Sequence, residues 1–583
     1  MRGRWALLGI TRKDMEDPDW VFDPATGRTA PATDYCFSID YRSEAVTGNI
    51  KQIWELSRMQ HITVLACAYA LSGDDRYAER AASHLRSWWS KNTFLSGVHW
   101  TSGIELGLRL IAWVWARRML EGWPGVSALF ERNREALIQI WWHQRYLDHF
   151  RSRGSSANNH VIAEAAGQLV ASLAFDWFEE SGRWADRAAT LLEVELGKNT
   201  FPSGVNRELA FEYHGFVLEL GLLGAVEADR AGRSLRDGTW QLLRRMIDVV
   251  AATTDCKLQP PRQGDGDDGR ALLFGSPDVN RWASLIATGK ELFGASDWWP
   301  TAEPDAASTL VSSLARVRQD VAGPLRHPSH YGDAGLTILR TQADAAPEIW
   351  CRCDCGPHGF LSIAAHAHAD ALAIELRHGG VEILADPGTY CYHVEPSWRS
   401  YFRSTIGHNT VEIANRDQST SGGPTLWTRH AESRLIEVQF DEAGRAMAWS
   451  AEHDGYTVLD PPAIHSRTVR LLEQERRVQI LDVVESKGHH PVRMSFHLGP
   501  ALSAHMSSEV VFELRWVNDV GKDVTATFKL PDGLTWSLWR GSTDPVLGWY
   551  SARFGEKQPS TSVVGEGSVR GRVEFRTELR FDS

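Results

Sequence analysis

No stretch of this 583-residue chain approaches the roughly 18 consecutive apolar residues that a membrane-spanning helix needs. The opening Met1-Arg2-Gly3-Arg4-Trp5-Ala6-Leu7-Leu8-Gly9-Ile10 is basic, but its apolar run is too short for a signal h-region. The expectation is a protein made without a leader, or a mature form from which a leader has been removed. Excess positive charge is lacking too. Lysine and arginine number 62 against 74 acidic residues, a net charge of −12. That balance argues against nucleic acid or a membrane surface as partner, while a local arginine cleft could still receive a polyanion. Cysteine is sparse, with seven residues. Three of them, Cys351, Cys353 and Cys355, alternate along an apparent strand, which is neither a Cys-x-x-Cys metal motif nor a disulfide framework and reads as core filling.

What is abundant is tryptophan, with 25 residues. Many fall on helical patterns and belong to a core, but aromatic rings of this kind also stack on sugars. From about residue 45 to 320 apolar residues recur at three and four, with alanine-rich faces suited to close helix packing. From about residue 333 the chain changes to short alternating segments such as Arg467-Thr-Val-Arg-Leu-Leu472, separated by turn residues. Helices segregated from strands predict an α+β protein of two parts, a helical domain over residues 1–325 followed by a β domain over residues 326–583. Within the helical part, polar clusters return every 50 residues or so, about one helical hairpin apart. They are ordinary loops, or they line one end of a ring of hairpins.

The densest chemistry lies between Ala365 and Asp386. His366 and His368 alternate on an apparent strand and so share a face, and a Gly379-Gly380 turn leads to a second strand ending at Asp386. His408 follows in Gly407-His408-Asn409-Thr410. Such a group could be satisfied core histidines, a divalent-ion site, or a base placed beside one. In the helical half, Asn158-Asn159-His160 opens a helix, where one residue caps and the others can donate to an anion. Tyr213 comes about one hairpin later, in Glu212-Tyr213-His214. The run Asp265-Gly-Asp267-Asp268-Gly269-Arg270 lacks the closing glutamate of a calcium loop and reads as a turn that positions Arg262 or Arg270.

Taken in order, Trp54-Glu-Leu-Ser-Arg58, Trp100 to Arg109, Asn158-Asn159-His160, Glu212-Tyr213-His214, Gly264 to Arg270, His366-Ala-His368-Ala-Asp370, Asp386-Pro-Gly-Thr-Tyr390 and His408-Asn409-Thr410 resemble the heparinase II/III group of polysaccharide lyases over most of the chain. The resemblance implies an incomplete α/α toroid followed by an antiparallel β-sandwich, with a cleft between them. It also implies cleavage of a uronic-acid polymer by β-elimination. Asn159 and His160 would neutralise the substrate carboxylate, Tyr213 would be base, acid or both, and His366 would be the second acid/base group. His368, Asp386 and His408 would hold one structural divalent ion, zinc or similar, and no organic cofactor is implied. Trp54, Arg58, His99, Arg109, Arg207 and Arg262 are the candidate substrate contacts, each basic one equally a rim salt bridge. The chain departs from the group's usual Glu-Gln-Ser before the Tyr-His pair, which touches subsite contacts more than chemistry. Members of the group are usually secreted or periplasmic. A monomer or homodimer is expected, acting on glycosaminoglycans first, then alginate or bacterial exopolysaccharides. A uronyl hydrolase, which would use pairs among Glu208, Glu212, Asp265 and Asp267, and a non-catalytic carbohydrate-binding protein are the competing readings.

Overall fold

The computed structural model describes residues 5–342 and 347–582. Two short hairpins, Trp5–Leu7 with Ile10–Arg12 and Phe22–Asp23 with Arg28–Thr29, precede the helices and are not evident from the sequence pattern. The helices then alternate between two kinds. Asp75–Lys91, Arg134–His149 and Ser181–Lys198 bury one face and expose the other, while Asp237–Thr253 is exposed only in its first turns. Gly103–Met119, Asn159–Ala174 and Phe211–Arg230 are buried nearly all round. A helix apolar on every side belongs inside, so these form an inner layer and the amphipathic ones an outer layer. Successive inner helices pack in the order Gln60–Ser72, Gly103–Met119, Asn159–Ala174, Phe211–Arg230 and Arg281–Phe293. Between the first and last runs a loop, whose Arg270 and Leu273 carbonyls accept from Gln60 and Thr63. The ring is thus an incomplete α/α toroid. Eight of the largest buried side chains in the protein are tryptophans, six of them in this half, so most of the tryptophan excess builds core.

Glycine sets how closely the inner helices approach. A Cβ on Gly107 would come within 2.3 Å of the Ala163 carbonyl oxygen, and one on Gly167 within 2.3 Å of the Gly107 carbonyl oxygen. Backbone therefore rests on backbone where Gly103–Met119 crosses Asn159–Ala174, and the polar starts of the two helices are held side by side.

After Ser312 the helical array ends, and the first strand of the second half begins at His330. A five-stranded antiparallel sheet, ending in the hairpin Ile374–His378 and Val381–Leu384, faces a ten-stranded one. The larger sheet is built on two 21-residue strands, Arg477–His497 and Thr561–Phe581, paired antiparallel along most of their length. Inward residues of both sheets form one apolar core, which makes this half a β-sandwich. Cys351 and Cys353 lie in that core on the strand Ile349–Asp354. A helix, Pro396–Arg403, interrupts the strands and is not evident from the sequence pattern. No helix among the described residues is long and apolar enough to cross a membrane.

Loops following the helix Asp237–Thr253 fasten the halves together. Arg377 of the small sheet pairs with Asp255 at 3.0 Å and donates to the carbonyls of Gln259 and Pro260. The Trp350 indole donates to the Thr253 carbonyl at 3.1 Å.

Gly167→Ala is expected to lower stability by about 1–3 kcal/mol through overpacking. Gly182→Ala, on a helix with no atom within 4 Å of the added Cβ, should leave stability unchanged or slightly raised. Thermal denaturation of both variants checks the contrast; equal midpoints would mean that the inner helices can separate without penalty.

Candidate active site

The inner helices begin at one rim, and their first turns carry the polar residues. Asn158 caps the helix Asn159–Ala174 by accepting from the His160 amide. The Asn159 side chain donates to both carboxylate oxygens of Glu208 at 3.0 and 2.9 Å, and Asn158 donates to the same group at 3.0 Å. The amide assigned by resemblance to a substrate carboxylate is therefore occupied by a carboxylate of the protein. Burial raises the pKa of Glu208 against the pull of His366 and the two amides. His160 is pushed down to about 4 by burial and by its neighbour His366, so its ring is neutral near pH 7.

Tyr213 lies in the first turn of Phe211–Arg230. Its hydroxyl contacts the Tyr392 hydroxyl at 2.8 Å and donates to Asp267 at 3.1 Å. A phenol can act as a base where cations stabilise its phenolate, but the immediate partners of Tyr213 are a carboxylate and a second phenol. Burial, then Asp267 and Tyr392, hold the Tyr213 pKa well above that of a free phenol, so the hydroxyl keeps its proton. Asp267 itself stays ionised: despite burial, Lys51 and Arg58 hold it below the usual carboxylate range.

His366 stacks on the Tyr213 ring with centroids 3.9 Å apart. Its Nδ1 donates to Asp265 at 3.2 Å. In the neutral ring that leaves Nε2 as the lone-pair nitrogen, 3.6 Å from Glu208. Contrary to the sequence reading, His366 and His368 are not on a strand. Residues 365–373 form a turning loop before the strand Ile374–His378, and both rings reach Asp265 because the loop wraps around that carboxylate. Asp265 comes from the acidic turn of the helical half. Gly264 before it has φ +66°, and a Cβ there would meet the His366 carbonyl at 2.9 Å, so only glycine lets the turn sit against the histidine loop. Arg399, on the helix Pro396–Arg403, donates to both Asp265 oxygens, one at 2.7 Å. Against burial, Arg399 and the two histidines hold Asp265 well below the usual carboxylate range.

Next to this centre, His368, Asp370 and His408 bring one ligand atom each within 4.8 Å of one another. Asp386 stands at the edge of the group, its Oδ2 3.6 Å from His408 Nε2 and without a hydrogen-bond partner although buried. The sequence reading named Asp386 and left out Asp370. His408 Nδ1 donates to the Ser404 carbonyl at 2.7 Å, and His368 Nε2 donates to Asp265 at 2.9 Å. With burial pushing His368 down to about 3, its Nδ1 is left free and faces His408 Nε2 across 3.1 Å. These two nitrogens and the Asp386 oxygen, which accepts no hydrogen bond, converge on one point, and outward N–H donation is how metal-bound imidazoles are usually oriented. The residues present therefore fit a divalent ion. Behind them Arg467, paired with Asp482 at 2.7 Å, donates to the carbonyls of Leu372 and Asn409 and so fixes both ligand-bearing loops.

Two candidate substrate contacts are corrected by burial. His99 and Arg109 are both fully buried; Arg109 donates to the His99 carbonyl and to His143. Both face the toroid core. Arg58 is buried and bound to Glu105 at 2.7 Å and Glu55 at 2.8 Å, and so is already neutralised. Arg262 donates to the Ser551 carbonyl and lines a cavity of about 440 Å³ at the seam of the halves. Arg207 lies over the Phe201 ring and is half-buried. Trp54 is half-buried and lines a smaller cavity beside Tyr392. Asp265, Asp267, Tyr392 and Arg399 are site residues whose roles sequence reasoning did not find. The turn holding the two aspartates was the available signal.

Comparison with known proteins gives a consistent picture. The family model for the heparinase II/III N-terminus matches residues 19–292, and that for the heparinase II/III-like C-terminal region matches residues 323–580. The chain is 22% identical over 403 residues to a heparin-sulfate lyase of Pedobacter heparinus, an alignment covering 66% of this chain and 55% of that protein. It is also 22% identical over 436 residues to a heparin-sulfate lyase of Bacteroides stercoris, covering 70% of this chain and 61% of the relative. The chain thus spans little more than half the length of these curated relatives. The crystal structure of heparinase III shares its fold with a TM-score of 0.67 at 14% identity, covering 97% of this chain and 84% of the other. That of the Pedobacter heparinus heparan sulfate lyase gives a TM-score of 0.60 at 17% identity, covering 98% and 83%. With both halves matched in order by the two models, this chain belongs to the heparinase II/III-like family.

Proposed function

We propose that the protein is a polysaccharide lyase that cleaves a uronic-acid-containing glycosaminoglycan, of the heparan sulfate class, by β-elimination. The observation that carries this reading is the pairing of Tyr213 with His366. One comes from each half, their rings stack, and each has a carboxylate partner that fixes its proton. The names of the relatives, heparin-sulfate lyases, support the choice of polymer class.

The reaction removes the proton at C5 of a uronate and expels the oxygen at C4. His366, acting as the neutral tautomer whose Nδ1–H is given to Asp265, takes the C5 proton at Nε2. The C5–H electrons form the C4–C5 double bond, the C4–O bond breaks, and the departing oxygen takes the Tyr213 proton. Tyr213 suits the acid role because its surroundings disfavour phenolate. Its proton is replaced through Tyr392, whose hydroxyl touches it. Charge developing on the uronate carboxylate is met by Asn159 and by neutral His160. Asn159 already holds Glu208, so the substrate carboxylate shares that donor or displaces Glu208. Donation of this kind and general acid–base catalysis each contribute on the order of 10²-fold or more. The hydrolase alternative has less support: Asp265, Asp267 and Glu208 are each engaged by arginine, lysine or amide donors, and none faces another as a free acid–base pair.

His368, His408 and Asp386, with Asp370 beside them, would hold one divalent ion of the zinc type. When bound it supplies positive charge that braces the loops behind His366. The chemistry assigned above is carried by the chain's own side chains.

Tyr213→Phe is expected to lower kcat by at least about 10²-fold while leaving oligosaccharide affinity, measured by calorimetry, nearly unchanged. Near-ultraviolet absorbance of the unsaturated product reads the activity; full turnover in this variant would remove Tyr213 from the mechanism. Elemental analysis of the purified protein should find about one divalent ion per chain, lost in His408→Ala together with a lower denaturation midpoint. A metal-free wild type of undiminished stability would sink the ion assignment.

A further inference from the structure

Beside Tyr392 lies a cavity of about 100 Å³ between the segment that precedes the toroid and the loop that follows Thr389. Tyr41, Arg42 and Trp54 line one wall, Tyr392 and His393 the other. Tyr392 ties the cavity to the reaction centre, since its hydroxyl is 2.8 Å from that of Tyr213. Several features give it a preference for anions. Arg42 is exposed, lies 5.4 Å from the centroid of the Tyr41 ring and has no carboxylate within 4.0 Å among the described residues. His393 faces it, with Arg42 and Arg399 as its charged neighbours. The helix Ile50–Ser57 starts at the cavity with no acidic residue in its first turn, so the positive end of its dipole points there. Glu44 is the one carboxylate on the lining, and Lys51, the other cation there, is bound to Asp267. The floor is aromatic. The Tyr41 and Trp54 rings lie 5.3 Å apart, and the Trp54 indole N–H is already given to the Val98 carbonyl, which leaves its ring for apolar contact.

The geometry points to a subsite for an anionic substituent, sulfate or carboxylate, on the sugar unit adjoining the one that reacts, with Arg42 and His393 as its recognising pair. Neither residue touches the reacting atoms, so their role is affinity and selectivity. The inference rests on the reading of the cleft as that of a uronate-polymer lyase. A sugar whose C4 oxygen meets Tyr213 has its neighbour beside Tyr392, where the Arg42 guanidinium, the hydrogen-bonding His393 ring and an aromatic floor match a charged pyranose.

The test uses a size-defined heparin hexasaccharide, its fully desulfated form and its carboxyl-reduced form, titrated calorimetrically into wild type, Arg42→Ala and Arg42→Ala/His393→Ala. The double variant should bind the intact hexasaccharide roughly tenfold more weakly, as expected for loss of one or two charge-assisted hydrogen bonds, with an unchanged denaturation midpoint. On a polymer that is turned over, KM should rise and kcat should hold. The chemically altered form whose affinity no longer responds to the variants identifies the group bound. Equal affinity of all three proteins for all three ligands, or no binding of any ligand to wild type, would overturn the subsite. The two proposals fail separately. Variant-sensitive binding with no ultraviolet-absorbing product from any uronate polymer leaves the subsite and removes the lyase. Turnover with KM and affinity indifferent to Arg42 and His393 does the reverse.

Discussion

A fully buried carboxylate must be matched by positive charge or hydrogen-bond donors, and Asp265 imposes that requirement on everything around it. It sits on a turn of the helical half, yet Arg399, His366 and His368, its three side-chain partners, all belong to the strand half. Removing one partner from such a buried group costs on the order of 3–5 kcal/mol. The bond therefore does more than join two domains. It sets the proton on His366, orients His368 toward His408, and draws the histidine loop over Tyr213. The neighbouring aspartate repeats the pattern on a smaller scale, with Asp267 held by Lys51 and accepting from Tyr213.

The division into a helical and a strand half was legible because a period near 3.6 and a period of 2 leave different marks on apolar spacing. The gathering of Asn159, His160, Tyr213 and His366 came from the order of short motifs, which no single motif would have justified. What misled was local inference. Alternation suggested a strand for His366 and His368, whereas a loop curled around one carboxylate also brings two histidines to one place. His99 and Arg109 sit in a polar cluster of the sequence, but composition does not tell which way a side chain turns on a helix that is buried on every side. Asp265 and Asp267 read only as parts of a turn positioning Arg262 or Arg270, because their partners lie more than a hundred residues away or on another helix. Tyr392 and Arg399 had no signal at all, since the segment that carries them acquires meaning only when it packs against the toroid rim.

Behind the loops lies a layer that bears no chemistry but decides where chemistry can occur. Arg467 and Asp482 are buried on adjacent long strands, and the guanidinium spans the two loops that carry His368, Asp370 and His408. On the other side, the glycine contact between Gly103–Met119 and Asn159–Ala174 fixes the rim from which Asn159 and His160 project. The cleft is thus bounded by two stiff constructions, a sandwich sheet and a backbone-to-backbone helix crossing. Adjustment is left to the turns between them.

The contact between the Tyr213 and Tyr392 hydroxyls has a further consequence. One oxygen belongs to the toroid and the other to the strand half, so on the proposed mechanism neither half alone contains the proton path. On that mechanism, a half exchanged for that of a distant relative would have to bring a hydroxyl to the same point. The two halves are thus a matched pair, and a shift of either one is felt at that single point of contact.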